Sequence, residues 1–172
     1  MTLQTLIAAT CLAVPGLAFA APGIPRVRDI GDPQIAALIA EATARSATFR
    51  RLVAVIDDSD GIVYVERGAC GHSARACLSH SVVVAGPHRI LRVLLDTRRD
   101  RDELLAALGH ELRHAVEVLG RPQIRSMSAV MFFYQYEGFA VDGRFETEAA
   151  LQTEATVFAE LKRTDTQNLV IE

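Results

Sequence analysis

The sequence lacks a surplus of basic residues. Its 18 lysines and arginines are outnumbered by 21 aspartates and glutamates, which gives a net charge of -3 and an isoelectric point near 6.0. Proteins that bind nucleic acids or anionic membrane surfaces carry a basic patch that attracts phosphate groups. The composition therefore argues against a nucleic acid partner and against a membrane-surface partner.

The chain also lacks internal repeats and low-complexity segments. Its 172 residues suit one domain, and half of them are hydrophobic, which is enough to bury a substantial core. We therefore expect a single domain over residues 21–172, preceded by a segment of different character.

That preceding segment, MTLQTLIAATCLAVPGLAFA, lacks charged side chains. Pro15 and Gly16 interrupt its apolar run, and it ends in Ala18-Phe19-Ala20, the small-x-small pattern of a signal peptidase site. We predict a signal peptide over residues 1–20, and a mature protein that is periplasmic or secreted and has no stable membrane span. The alternative is an uncleaved membrane anchor, because the run approaches the length that spans a bilayer.

Cysteine is scarce, with three residues in the whole chain. Cys11 lies in the predicted signal peptide, so the mature chain keeps Cys70 and Cys77, in the stretch CGHSARAC. In an oxidising compartment such a neighbouring pair is expected to form a disulfide bond. The alternative is a structural zinc cluster that adds His72 and His80, although the cysteine spacing matches no common zinc knuckle.

The order of the predicted elements favours an α+β fold. Apolar spacing predicts helices at residues 34–51, 100–120, 126–137 and 144–161. Segments rich in β-forming residues predict short strands at residues 52–56, 62–66, 81–85 and 89–96. The first two strands flank an Asp-rich turn and are expected to form a hairpin. The sequence therefore predicts a small antiparallel sheet packed against helices.

The helix at residues 100–120 contains the most specific motif, GHELRHAVEVLG. Asp100 and Glu103 predict its capped start, and Gly120 predicts its end. Its core face, which is about 120° wide on a helical wheel, comprises Leu104, Leu105, Leu108, Leu112, Ala115, Val116 and Leu119. His110 and His114 lie on the opposite side, so packing in the core does not explain them.

The spacing of these two histidines is that of a metal site. Residues four apart on a helix lie one turn from each other, so His110 and His114 can direct ring nitrogens at one Zn²⁺ ion. Glu111 is rotated away from that ion, but it can reach a water molecule bound to the metal and take its proton. We therefore expect His110 and His114 as zinc ligands and Glu111 as the general base.

This HExxH arrangement resembles that of the zincins, which are zinc-dependent peptidases, and in particular of gluzincins, whose third ligand is a downstream glutamate. The metzincin pattern is excluded because position 117 is Glu and position 120 is Gly. Over residues 50–163 the chain also resembles small exported bacterial HExxH proteins of unassigned activity. The resemblance implies a zincin-like fold, one Zn²⁺ per chain, and hydrolysis of peptide bonds in protein or peptide substrates.

The third ligand is expected from the predicted helix that contains RFETEAALQTEATVFAEL. Glu146 is favoured, because with Ala149 it resembles the E-x-x-A element of gluzincins and it lies at the margin of the apolar face. Glu148 and Glu154 remain alternatives.

Several supporting roles are less closely defined by the sequence. Glu117 lies one turn beyond His114 and is expected to orient its imidazole or to pair with Arg113 or Arg121, or else to be a solvated residue. The candidates for stabilising an oxyanion are Tyr134, Tyr136, Arg144 and His88. The strand at residues 89–96 is a candidate for pairing with an extended substrate. The alternative to a peptidase is a non-catalytic binding module with a zincin fold.

Overall fold

The computed structural model describes residues 23–71, 74–98, 100–141 and 143–169. Its helices are α1 (Pro33–Arg45), α2 (Ala47–Asp57), α3 (Arg101–Leu119), α4 (Met127–Glu137) and α5 (Glu148–Leu169). Its strands are β1 (Val27–Asp29), β2 (Gly61–Arg67), β3 (Ala76–Leu78), β4 (Val83–Ala85), β5 (His88–Leu95), β6 (Phe139–Val141) and β7 (Arg144–Glu146). The fold is α+β, as predicted. The predicted signal peptide lies outside the described residues, and none of the described helices is long and apolar enough to cross a membrane.

The main sheet is mixed. Strand β2 runs parallel to both β1 and β5, whereas β3 and β4 run antiparallel to β5. The predicted strands at residues 81–85 and 89–96 pair antiparallel, as β4 and β5. The predicted strand at residues 62–66 lies in β2, which is parallel to its neighbours, and the sequence did not predict β1 or β3. The side chains of Val63, Val65, Leu91, Val93 and Leu95 alternate along β2 and β5 and are fully buried, because α1, α2 and α3 pack on the sheet.

Strand β5 has neighbours along both of its edges. Strand β2 covers one edge, and β3 and β4 cover the other. The prediction that residues 89–96 form an exposed strand for substrate pairing is therefore wrong. Strand β3 lies at the end of the sheet order, next to α3.

The predicted strand at residues 52–56 is wrong, because this segment belongs to α2. The buried residues Phe49, Leu52 and Ile56 follow a helical spacing of three to four. Ser46 begins this helix, since its side chain accepts a hydrogen bond from the Phe49 N–H at 3.0 Å. Ser46 also ends α1, so the predicted helix at residues 34–51 is in fact two helices. Burial of one helical face outweighs the β preference of Val and Ile.

The predicted disulfide bond between Cys70 and Cys77 is present. It joins the loop after β2 to strand β3. Because both sulfur atoms are in this bond, the alternative zinc cluster of these cysteines with His80 is not formed. His72, the other member of that alternative, lies outside the described residues.

Arg89 holds the end of α3 against the sheet. Its side chain is only 1% exposed, and it pairs with Asp60 at 2.6 Å. The guanidinium also donates hydrogen bonds to main-chain carbonyls at the end of this helix and just beyond, those of Val118, Leu119, Arg121 and Ile124. The carbonyls of Val118 and Arg121 also accept main-chain N–H groups of the following turn. The guanidinium thus adds a charged donor to the carbonyls at the end of α3 and acts as its C-terminal cap.

We predict that Arg89→Met lowers the free energy of unfolding by about 3–5 kcal/mol, because it removes a buried charged donor that several carbonyls and the Asp60 carboxylate share. Urea denaturation followed by circular dichroism measures this loss. The matched control is Arg92→Met on the same strand, whose exposed pair with Glu66 should contribute less than about 1 kcal/mol. Equal losses in the two variants would contradict the capping role.

Candidate metal centre

Helix α3 has the ends that the sequence predicts. The Asp100 side chain accepts the Glu103 N–H at 3.3 Å, and Gly120 follows the last helical residue. The helix is buried on almost every side, and His110 and His114 are only 5% and 4% exposed. The side opposite the core is therefore covered as well.

Helix α5 provides much of that cover, and Gly109 lets it approach closely. A Cβ atom at Gly109 would lie 3.0 Å from Cγ2 of Val157, tighter than an ordinary contact. The residue before the first histidine of the motif is thus a point of close approach between α3 and α5.

Three side chains meet beside α3. Nε2 of His110 lies 2.8 Å from Oε2 of Glu146, and Nε2 of His114 lies 3.4 Å from the same oxygen. The two Nε2 atoms are 3.1 Å apart. One potential ligand atom from each of these buried residues lies within 4.8 Å of the others. This group of His110, His114 and Glu146, the candidate ligand group, could hold a metal ion.

Glu146 reaches this group from a strand. It is the last residue of β7, and α5 begins two residues later because Thr147 caps it, accepting the Ala150 N–H at 3.1 Å. The prediction that Glu146 lies on the helix is therefore wrong, although Glu146 does join the two histidines. Gly138 makes room for β7, since a Cβ there would lie 2.8 Å from the carbonyl oxygen of Glu146.

The two competing glutamates lie elsewhere. Glu148 is exposed and accepts a hydrogen bond from Gln152 on the next turn of α5. Oε2 of Glu154 lies 3.2 Å from Nδ1 of His110, an ion-pair distance, although the two atoms are not aligned for a hydrogen bond. Glu154 therefore faces the ring nitrogen of His110 that points away from the ligand group.

Glu117 occupies the matching position beside His114. Its Oε2 lies 3.1 Å from Nδ1 of His114, and its Oε1 accepts a hydrogen bond from Thr147 at 2.9 Å. When the proton of a neutral imidazole is on Nδ1 and that N–H donates a hydrogen bond to a carboxylate, Nε2 keeps a lone pair that can bind a metal. The contact thus favours the tautomer of His114 that suits a ligand.

The charges in the ligand group are strongly coupled. Burial lowers the pKa of His110, but the carboxylates of Glu146 and Glu154 outweigh this effect and raise it to about 10. Burial raises the pKa of Glu146, but hydrogen bonds from His110 and His114 outweigh that effect and hold it at about 2. Without a metal, the site therefore holds an imidazolium paired with a carboxylate.

Glu111 does not join the ligand group but lies beside it. Its side chain is buried, and its Oε2 accepts the Leu78 N–H of strand β3 at 2.7 Å. Burial raises the pKa of this carboxyl, an effect that the charges of His114 and His110 offset only in part. Glu111 is thus a fixed carboxyl with increased affinity for a proton.

Among the described residues, strand β3 has no strand partner along its second edge. The Ser79 N–H donates to the Arg92 carbonyl, and the Asp96 N–H donates to the Arg75 carbonyl, each at 2.8 Å. Hydrogen-bonded and non-bonded pairs alternate in an antiparallel ladder. The main-chain groups of Ala76 and Leu78 therefore face away from β5, on the side where Leu78 meets Glu111.

A cleft of about 310 Å³ opens beside the ligand group, between β3, α3, α4 and β7. The residues that can act chemically in its wall are His80, Glu111, His114, Tyr134, Arg144 and Glu146. The hydroxyl of Tyr134 lies 3.4 Å from the His114 carbonyl, and its ring contacts the His114 ring edge-on. Burial raises the pKa of Tyr134 and lowers that of His80. Both groups are therefore neutral near pH 7.

The structure separates the four candidates for oxyanion stabilisation. Tyr134 and Arg144 line the cleft. Tyr136 is 81% exposed, and His88 contacts Arg26 at the start of β5, so the structure does not bring these two to the cleft. His80 was not predicted at this place, because a histidine in an irregular loop carries no periodic signal.

Comparisons with protein-family models, curated proteins and solved structures gave no match to this chain. The HELRH motif and the geometry of the residues around it are therefore the features that indicate a function.

We predict that the mature protein binds about one zinc ion per chain, and that His110→Ala and Glu146→Ala each abolish this binding, because three protein ligands are needed to hold zinc in an open site. Elemental analysis after dialysis measures the metal. Glu154→Gln and Glu117→Gln should weaken binding only about 10- to 100-fold, since each removes an orienting contact. Glu148→Gln is the control, and a loss of zinc there equal to that of Glu146→Ala would contradict the assignment.

We predict that zinc binding releases about one to two protons at pH 7, because the metal must displace the protons that raised pKa values favour on His110 and His114. The apparent affinity should rise with pH up to about 10 and then level off. Calorimetric titration in buffers of different ionisation enthalpy measures the released proton. Glu154→Gln removes one carboxylate that raises the pKa of His110, so the zinc affinity of this variant should level off at lower pH. A pH-independent affinity would show that His110 carries no proton to displace.

Proposed function

We propose that this protein is an exported zinc metallopeptidase that hydrolyses peptide bonds in protein or peptide substrates. The observation that carries the proposal is the buried group of His110, His114 and Glu146, with Glu111 held beside it at the wall of an open cleft. The resemblance of the motif to gluzincins supports the same reading, and the disulfide bond fits an oxidising compartment.

The donor set fits zinc. Two imidazole nitrogens and one carboxylate oxygen are the ligands of many catalytic zinc sites, in which the fourth position is left for water or substrate. A zinc ion bound there would supply a water molecule of lowered pKa and would polarise the substrate carbonyl. Glu117 and Glu154 would hold the two imidazoles in place through their outer nitrogens.

Glu111 is proposed as the general base. Its position next to both histidines lets its carboxylate take a proton from the attacking water and deliver it to the leaving amine. The Leu78 N–H fixes one carboxylate oxygen, which leaves the other free to move the proton. The raised pKa of Glu111 strengthens it as a proton acceptor.

Two further parts of the cleft fit a peptide substrate. The neutral hydroxyl of Tyr134 donates a long hydrogen bond to the His114 carbonyl, at 3.4 Å, and would have to turn from it to donate to the oxygen on which negative charge develops. Along the second edge of β3, the main-chain groups of Ala76 and the carbonyl of Leu78 can pair with an extended chain, whereas the Leu78 N–H is held by Glu111. Strand β3 thus takes the role that the sequence suggested for residues 89–96.

We predict that Glu111→Gln retains its zinc but lowers the rate of peptide hydrolysis about 100- to 10,000-fold, since the amide cannot accept the proton. The assay uses the mature chain from Ala21 loaded with zinc, a fluorescent casein substrate, and mass spectrometry of the products. Glu148→Gln, on the exposed face of α5, should leave the rate unchanged.

Two outcomes would contradict the proposal. Full activity in Glu111→Gln would remove the assigned base. A wild-type protein that binds zinc and peptides without cleaving them would instead be a non-catalytic binding module.

A further inference from the structure

Depressions lie on both sides of the candidate ligand group. The cleft described above lies on the side of His114. A second depression, of about 150 Å³, lies on the side of His110. The two share walls formed by Ala76, Glu111 and Glu146. The space next to the ligand group is therefore open in two directions along β3.

The second depression continues into a longer groove. This α5 groove, of about 330 Å³, lies between α5 and the first half of α3 and is lined by Arg75, Glu103, Ala106, Leu151, Glu154, Ala155 and Phe158. It shares Arg75, Leu151 and Glu154 with the depression beside His110. A continuous surface thus connects the ligand group to the α5 groove.

The α5 groove is largely apolar although it faces solvent. Leu151, Ala155 and Phe158 follow each other at helical spacing, so they lie on one face of α5. Leu151 and Phe158 are 39% and 37% exposed, whereas Val157 and Leu161 on the same helix are fully buried. Isolated exposed apolar residues are common, but a concave apolar strip that leads to a cluster of polar groups is typical of a binding site.

The distance from the ligand group sets where a bound side chain would lie. Glu154 contacts His110, and Phe158 lies four residues further along α5, a rise of about 6 Å. An extended peptide advances about 3.4 Å per residue. A side chain in the α5 groove would therefore lie about two residues from the peptide bond at the ligand group.

We propose that the protein binds an internal segment of a polypeptide, which extends past the ligand group in both directions and places a large apolar side chain in the α5 groove. This inference rests on the proposed function, under which it makes the protein an endopeptidase. A free amino or carboxyl terminus is not needed, because the bound chain continues beyond both sides of the reacting bond.

Binding can be tested without turnover. The probe is a set of fluorescent peptides about ten residues long, with both ends blocked and a single Phe or Leu moved along an Ala- and Ser-rich sequence. Fluorescence anisotropy measures their affinity for zinc-loaded Glu111→Gln protein. Blocked peptides should bind, with one position where the apolar residue strengthens binding about tenfold, as expected for burial of a large side chain.

Variants of the groove decide where that preference arises. Added to Glu111→Gln, Phe158→Ala should abolish the tenfold preference, and Phe158→Leu should retain most of it. Val55→Ala, at an exposed apolar residue of α2, is the matched control and should change nothing. A preference that survives Phe158→Ala, or binding that requires a free terminus, would overturn the inference.

Mass spectrometry of the same blocked peptides after incubation with wild-type zinc protein separates the two proposals. Cleavage at an internal bond about two residues from the preferred apolar position supports both. Binding with the groove-dependent preference but without cleavage would refute the peptidase and leave the binding mode standing. Cleavage without that preference would support the peptidase and refute the groove.

Discussion

The burial of four ionisable side chains on and beside α3 is the constraint on which the rest of the structure depends. They are His110, Glu111, His114 and Glu146. Isolated charges in a protein interior cost far more free energy than ordinary packing provides, so each must have a partner. His110 and His114 share Glu146, and each has a further carboxylate at its outer nitrogen. This pairing needs β7, α5 and α3 itself to meet at one place, which explains why the motif helix lies at the centre of the fold.

The surrounding elements position α3 from both ends. Arg89 fixes the end of the helix to strand β5, and the Leu78 N–H fixes Glu111 to strand β3. Both strands belong to one sheet and pair with each other. The sheet is thus a rigid reference against which the helix, and with it the spacing of His110 and His114, is held.

Features encoded over a few residues were predictable from the sequence. The caps of α3, the HExxH spacing and the neighbouring cysteines are local signals, and they agree with the structure. Features that depend on distant packing were not predictable. Residues 52–56 favour a strand by composition, yet Ser46 and the buried face of α2 make them helical. Thr147 caps α5, so the helix begins only after Glu146. A helical wheel over residues 144–161 assumes one continuous helix and cannot show this cap.

The remainder of the site is tertiary. Glu154 stood out in the sequence only as a carboxylate on an apolar face, and its contact with His110 depends on how α5 crosses α3. His80 reaches the cleft because its loop follows β3. The prediction that residues 89–96 form the exposed strand failed, because the order of strands in a sheet cannot be derived from the pattern of single strands.

The disulfide bond supports one part of the site and not the other. Cys77 directly precedes Leu78, so the bond that ties the preceding loop to β3 also steadies the strand that holds Glu111. The ligand group does not need this bond, because its members lie on α3 and β7. Reduction of the bond would therefore loosen β3 and the support of Glu111 while leaving His110, His114 and Glu146 together.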